Sequence, residues 1–344
     1  MCVGNSRADQ TDKARGALLG LILGDAVGVA GGKVPDDGPL RCSSGAQLSC
    51  FTVDAMIRSH VRASIKGIGG SETSMAWYGY ARWAALQGVT DVADRPEGPR
   101  PDGWLAQIPV MAERRGSAPA TVNALRGRVM GTQEEPVGSS FGAHALTRAL
   151  PIGLYPAGPR TGQLAAAVAA TTHCGEAVHA AALGATLIRL LASGLGIGDA
   201  CVAADEEYPE SAGSPEGSPI AAAAEALHAA PGDPSMVAGL APNGRATSAL
   251  ASGVYTALSL PGRDQVRDAV VFAASAGNRH GAAVAGAVLG ALHGADALPG
   301  DWLSRCELVW VGDTLARDLV REITEVPAGS GYDDDTFWHH RYPG

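Results

Sequence analysis

Aromatic residues are scarce in this chain, at 5% of 344 positions, whereas glycine alone supplies 46. Such a core cannot fill its volume with large rings. It must bury area by close approach of backbones, which suits packed helices. No convincing alternation of apolar and polar residues marks a strand, so an all-β or α/β reading has no support. An excess of positive charge is also lacking: the net charge is −9 and the isoelectric point about 5.5. No basic face is available for nucleic acid, and Trp338-His339-His340-Arg341 is too short to supply one. Long uncharged apolar runs are missing too. The run Ala17–Gly24 is cut by Asp25 before it reaches the ~18 residues a membrane span needs. Acidic Asp9 and Asp12 also spoil its resemblance to a secretory leader. A buried first helix and no membrane partner are expected. None of the six cysteines, at 2, 42, 50, 174, 201 and 306, forms a C-x-x-C pair. Free buried thiols, no disulfide frame and a reducing cytoplasmic setting follow.

Helical signals fill most of the chain. Thr11 reads as an N-cap with Asp12 in the first turn. Gly16, Gly20, Gly24 and Gly28 then recur every four residues on one stripe, and Gly286, Gly290 and Gly294 repeat the device. Glycine weakens a helix, so each stripe predicts another backbone packed very close. Further helices are expected over 53–65, 74–86, 164–191, 220–228, 246–258, 263–275 and 302–325, with Ile57, Val61 and Ile65 marking a buried stripe. Loops are expected at 31–45, 94–103 and 206–219, the last a mobile surface loop rich in Pro, Ser and Gly. One all-α domain over 1–344 is expected, with a C-terminal tail from 327 to 344 carrying the solvated acidic run Asp333-Asp334-Asp335.

Several segments in order resemble the ADP-ribosylglycohydrolase family, which includes the dinitrogenase reductase-activating glycohydrolases. The run Arg15–Gly28 is similar to the family's opening helix and its G-D-A-x-G end. Gln47–Arg58 is similar to the helix after the first metal motif, and Trp77–Trp83 with Gly103-Trp104-Leu105 to the segment that follows. Ser140–Gly153 is similar to the substrate loop G-x-G-x-x-M-R-x-x-P-x-G, Thr172-His173 to a T-H segment, and Ala285–Gly294 through Leu298-Pro299 to Trp302 to the C-terminal portion. The resemblance covers about the whole chain. It implies a compact, orthogonally packed multi-helix fold with a central cleft.

In active members the resemblance implies two magnesium ions held by a T-D-D-T motif and a G-D-x-D-[ST] motif. Magnesium is a hard cation that takes oxygen ligands in octahedral geometry, and clustered carboxylates are needed to hold a pair. Here the first motif falls on Ser43, Ser44, Gly45 and Ala46. The second falls on Ala276–Gly281, so its aspartates are replaced by Gly277 and Arg279, or, shifted by one, by Asn278 and His280. Thr247 and Ser248 stand where acidic residues are frequent. A guanidinium beside two divalent cations is repulsive by several kcal/mol even at a protein-like dielectric, on the order given by Coulomb's law. The expectation is a pseudoenzyme without a metal cofactor or catalytic residues, in a binding or regulatory role. Its cleft candidates are Asp25, Ser43, Ser44, Ser140, His144, Arg148, Asn278, Arg279 and His280. Arg279, with five fixed donors, suits an anionic ligand such as ADP-ribose or an acidic group of a protein.

Other readings stay open at this point. Asp25 is either a site residue or a cap of the neighbouring loop. Arg148 is favoured as a buried arginine bonded to loop carbonyls, and His173, Cys174 and His179 as structural, since a spacing of six does not share a helical face. Ser43 and Ser44 lack a partnered base for nucleophilic catalysis. An active hydrolase using displaced ligands is the alternative, with Asp36, Asp37 and Asp54 as rescue candidates beside Asp25. The second alternative is an interaction protein that partners an active paralogue.

Overall fold

The computed structural model describes residues 6–92, 102–127, 129–209, 217–275, 278–327, 329 and 336–344. Seventeen α-helices and no strand occur among them, and 70% of the described residues are helical. The principal helices are α1 (Arg7–Val29), α2 (Ser44–Lys66), α3 (Glu72–Leu86), α4 (His144–Ala149), α5 (Thr161–Ala170), α6 (Glu176–Ala192), α7 (Ala246–Ser259), α8 (Val266–Ser275), α9 (Arg279–His293) and α10 (Val309–Glu325). No helix among the described residues is long and apolar enough to cross a membrane.

Helix α1 is the axis of the fold. It is buried on every side from Gly16 to Gly28, the pattern of a helix enclosed by others. Its glycine stripe meets α9 running antiparallel, carbonyl against Cα. A Cβ on Gly16 would lie 2.1 Å from the Gly290 carbonyl oxygen, on Gly20 2.0 Å from that of Gly286, and on Gly24 2.1 Å from that of Ala282. Reciprocally, a Cβ on Gly290 would lie 1.9 Å from the Gly16 oxygen. The two predicted stripes are therefore each other's partners. Helix α10 packs on another side of α1, where Gly312 leaves room for Ile22.

The first helix begins earlier than its sequence signals suggest. Ser6 is the N-cap and accepts from the Asp9 amide at 3.3 Å. Thr11 lies inside the helix and donates to the Arg7 carbonyl, while Asp12 reaches across to accept from the Ala295 amide at 3.1 Å. Helix α2 likewise starts at Ser44, nine residues before the expected 53. Of its stripe, Ile57 and Val61 are buried but Ile65 is 43% exposed near the helix end.

The expected helix over 164–191 is two helices, α5 and α6, divided at 171–175. Gly175 makes the break, with φ of 54° and with the Phe141 ring where a side chain would go. The expected helix over 302–325 is a short turn, Gly300–Leu303, followed by α10. The loop expected over 206–219 begins after a helix ending at Glu207, and Pro219 already opens the next; residues 210–216 lie outside the described residues. Most of the loop expected over 94–103 does too.

The C-terminal tail is docked rather than free at its end. Thr336–Arg341 forms a helix, and Trp338 and Tyr342 are buried. The Trp338 indole donates to Glu322 Oε2 at 2.7 Å and the Tyr342 hydroxyl to Asp318 Oδ2 at 2.6 Å, both on α10. The acidic run 333–335 lies outside the described residues.

Candidate functional site

The contact between α1 and α9 fixes what stands around the motif positions. Where the stripe ends, Gly28 abuts the Arg279 backbone, so the last turns of α1 and the start of α9 are held together. Asp25 projects from α1 at this point. Its two carboxylate oxygens accept from the Ser43 amide at 2.5 Å and the Ser43 hydroxyl at 2.6 Å. The same hydroxyl accepts from the Gly45 amide at 3.0 Å and so caps α2. Asp25 thus does the capping job that was one of its two readings. Burial raises its pKa and outweighs the opposing Ser43 hydrogen bonds and the charge of Arg279.

Ser44, the next motif position, is covered by the backbone of Gly116, where a Cβ would lie 2.6 Å from Ser44 Oγ. That loop is clamped by Arg115, which donates to Glu307 at 2.9 and 2.7 Å. At the second motif Asn278 caps α9, its Oδ1 accepting from the His280 amide at 3.0 Å. Its Nδ2 donates to the Asn243 carbonyl at 3.2 Å. Gly277 lies outside the described residues. Arg279 is exposed, and its Nε donates to His280 Nε2 at 3.3 Å.

That last bond sets a tautomer. Nε2 accepts, so the His280 proton is on Nδ1, a buried nitrogen with no hydrogen-bond partner among the described residues. The His280 ring stands edge-on to His144 at 5.3 Å between centroids, and His144 Nε2 is likewise buried and unmatched. Burial pushes His144 down to about 4, helped by the charges of Arg279 and Arg148, and pushes His280 well below the usual imidazole range.

Arg148 lies behind this pair, fully buried. It donates to the Thr121 hydroxyl at 3.1 Å, to the Thr172 hydroxyl and to the Ala169 carbonyl at 3.5 Å, and stacks over the Tyr80 ring at 4.2 Å. The buried-arginine reading holds, though hydroxyls do more of the work than loop carbonyls. Because Thr172 accepts from Arg148, its own proton goes to His173 Nδ1 at 2.8 Å. His173 then carries its proton on Nε2, and burial with the Arg148 charge keeps it neutral.

Of the nine candidates, Asp25, Ser43, Ser44, His144, Asn278, Arg279 and His280 thus converge where α1, α2, α4 and α9 meet. Arg148 backs them. Ser140 stands apart, lining a neighbouring cavity of about 570 Å³ with Asn123, Gly138 and Thr172. The rescue candidates are elsewhere: Asp54 is buried against Arg58 at 2.7 Å and Arg82 at 3.2 Å, and Asp36 and Asp37 are exposed on their loop. Sequence reasoning missed the neighbourhood of His173, read only as structural, and the cover that Gly116 lays on Ser44. The Thr172-His173 pair was the available signal for the first; the second had none. His179 packs against Tyr208. Among the described residues no group of three or more His, Cys, Asp and Glu side chains could hold a metal ion.

A solved structure described as an ADP-ribosylglycohydrolase-related protein complex superimposes with a TM-score of 0.60 over 91% of this chain and 99% of that one. Its 20% identity makes it evidence of the fold alone. A search of curated proteins found no match. The sequence model of the ADP-ribosylglycohydrolase family matches residues 6–329. With that match over nearly its whole length, the chain belongs to the ADP-ribosylglycohydrolase family.

Proposed function

We propose that this protein is a non-hydrolytic member of its family, whose cleft binds an anionic ligand without a metal. The donor set is the first support. A magnesium pair needs several free oxygen ligands, yet the motif positions offer two hydroxyls, two glycines, an alanine, one capping amide, a guanidinium and an imidazole. The carboxylate that meets the first motif in space, Asp25, already accepts two hydrogen bonds from Ser43. These residues do not fit the family's metal pair.

The single observation that carries the binding reading is the sign of the cleft. Arg279, exposed at the start of α9, has no carboxylate within ion-pair distance among the described residues, and the buried His280 Nδ1–H beside it lacks an acceptor. A phosphate or carboxylate would supply both acceptors at once. ADP-ribose is the first ligand to try, because the family's cleft is shaped for it. Calorimetry with ADP-ribose in EDTA, on wild type and Arg279→Ala, tests this. Binding that weakens at least tenfold in the variant is expected. Equal binding in both proteins, or none in either, removes the idea. Magnesium-dependent release of ADP-ribose from a modified protein, abolished by chelator, removes the non-hydrolytic reading in favour of an active hydrolase with displaced ligands.

A second reading has one specific support. The structural neighbour is described as a protein complex, which favours a partner role for this chain, with an active paralogue as the first partner to test. Co-purification with such a paralogue and a change in its activity would distinguish that role from ligand binding alone.

A further inference from the structure

Beside the cleft, two cysteines far apart in sequence meet beneath the surface. The Sγ atoms of Cys42 and Cys306 are 3.6 Å apart, and both side chains are buried. Backbone pairing holds them in register. Leu40 and Cys306 form an isolated parallel bridge, with the Leu40 amide donating to the Arg305 carbonyl at 2.9 Å and the Glu307 amide to the Leu40 carbonyl at 3.1 Å. Residues 40 and 42 of an extended segment point to the same side, which brings Cys42 toward Cys306. Glu307 fastens the corner by accepting from the Cys42 amide at 2.9 Å and from Arg115. The arrangement has no role in the cleft's ligand contacts, and nothing in the fold requires two thiols there.

We propose that Cys42 and Cys306 form a modification site: a dithiol that closes to an intramolecular disulfide when a peroxide oxidises it. In the first step one sulfur, as thiolate, attacks a peroxide oxygen. The O–O bond breaks, giving a sulfenic acid and, after proton transfer, one water. In the second step the other sulfur attacks the sulfenic sulfur, the S–S bond forms and a second water leaves. Two thiols and one hydrogen peroxide become one disulfide and two waters, with two electrons passing from sulfur to oxygen. A disulfide has its sulfurs at about 2.05 Å, so from 3.6 Å the pair must close by about 1.5 Å. Neighbouring Arg41 and Ser304 are exposed, so the pair lies just beneath the surface, within reach of an oxidant little larger than water. The contact with the Cys306 thiol, and then burial, raise Cys42 well above the ordinary thiol range, so the reaction is slow at neutral pH and quickens as pH rises.

The bond would tether two segments 264 positions apart, one of them leading directly into Ser43 and the Asp25 cap. It would therefore hold that wall of the cleft and raise the thermal midpoint of the oxidised protein. The test is to treat the full chain with hydrogen peroxide, denature it, alkylate the remaining thiols and measure intact mass and peptides. Four of the six cysteines should take the label, and a peptide pair joined through Cys42 and Cys306 should appear. Cys50→Ser should keep the link and Cys306→Ala should abolish it. The wild-type peptide map alone decides the matter if that variant does not fold. Six labelled cysteines after peroxide, a link through Cys50 instead, or sulfinic acid at Cys42 without a link would overturn the proposal. Ligand binding is not read in this experiment, so its failure leaves the anion-binding reading to its own test.

Discussion

Two buried groups of cationic side chains in this fold are solved in opposite ways. Midway along α2, Arg58 and Arg82 face Asp54 and Asp102. Arg58 lies 2.7 Å from Asp54 and 2.8 Å from Asp102, and Arg82 lies 3.2 Å from Asp54. Arg58 also donates to the carbonyls of Asp102 and Pro343, joining the network to the docked C-terminal end. At the cleft, Arg279 donates to His280, His280 meets His144, and Arg148 lies behind them beside Thr172 and His173, while the neighbouring carboxylate of Asp25 is spent on Ser43. There the fold copes without counter-charge. Arg148 is wrapped by hydroxyls and an aromatic face, the three imidazoles are held neutral, and only Arg279 keeps its charge in reach of water. Paired acids let a protein bury charge as structure; where they are missing, the charge that remains has to be exposed and is available to a ligand.

The comparison breaks most visibly at Asp54. Asp54→Ala would leave Arg58 and Arg82 buried beside each other, and Arg82 is already drawn down to about 10 by burial and by Arg58. A loss of about 3–5 kcal/mol is expected, the usual cost of removing one side of a buried pair, read as a fall in the urea midpoint. A loss under about 1 kcal/mol would mean that the network is no more than a surface ion pair.

The cleft should respond to acid instead. His144, His173 and His280 have native pKa values pulled below the unfolded value near 6.5, to about 4 for His144. Between those limits the unfolded chain binds protons that the native chain does not. Stability from these groups is therefore full above pH 6.5 and is lost as pH falls toward the native values. Each site contributes a slope of up to about 1.4 kcal/mol per pH unit. Denaturant midpoints from pH 7.5 to 5 should fall steeply, and His144→Gln should flatten the slope by one site. An unchanged slope in that variant would show that the imidazole is already protonated in the native cleft.

How much of this was legible depended on whether a local pattern carried it. The four-residue glycine spacing in α1 and α9 announced a close backbone contact, because nothing else explains so many weak helix formers on one stripe, and the carbonyl contacts at Gly16, Gly20 and Gly24 are its physical cause. The family was legible through the resemblance of several segments in order, and its sequence model matches residues 6–329. What the pattern could not carry were tertiary effects. The break between α5 and α6 depends on Phe141 occupying the side-chain space of Gly175, while the apolar run through Thr171 and Ala177 reads as one helix. The docking of Trp338 and Tyr342 depends on Glu322 and Asp318, carboxylates on a helix whose sequence gives no sign of that role. The capping duty of Asp25 required knowing that Ser43 caps α2, whose first residue, Ser44, lies nine positions ahead of the expected helix.

The smallest expected effect is the most discriminating. Arg279 is exposed, so Arg279→Ala should change stability at neutral pH by no more than about 0.5 kcal/mol, as for a surface substitution. Its charge also opposes protonation of His144 and His280. Removing it should let both imidazoles titrate at higher pH, so the variant should lose less stability in acid than the wild type does. A structural arginine would behave differently: its removal would cost more than 1 kcal/mol at neutral pH and leave the acid limb where it was. Denaturation at pH 7.5 and pH 5 on the same two proteins separates the cases. Because folding is expected to survive intact, any ligand affinity lost in Arg279→Ala can be assigned to the guanidinium itself.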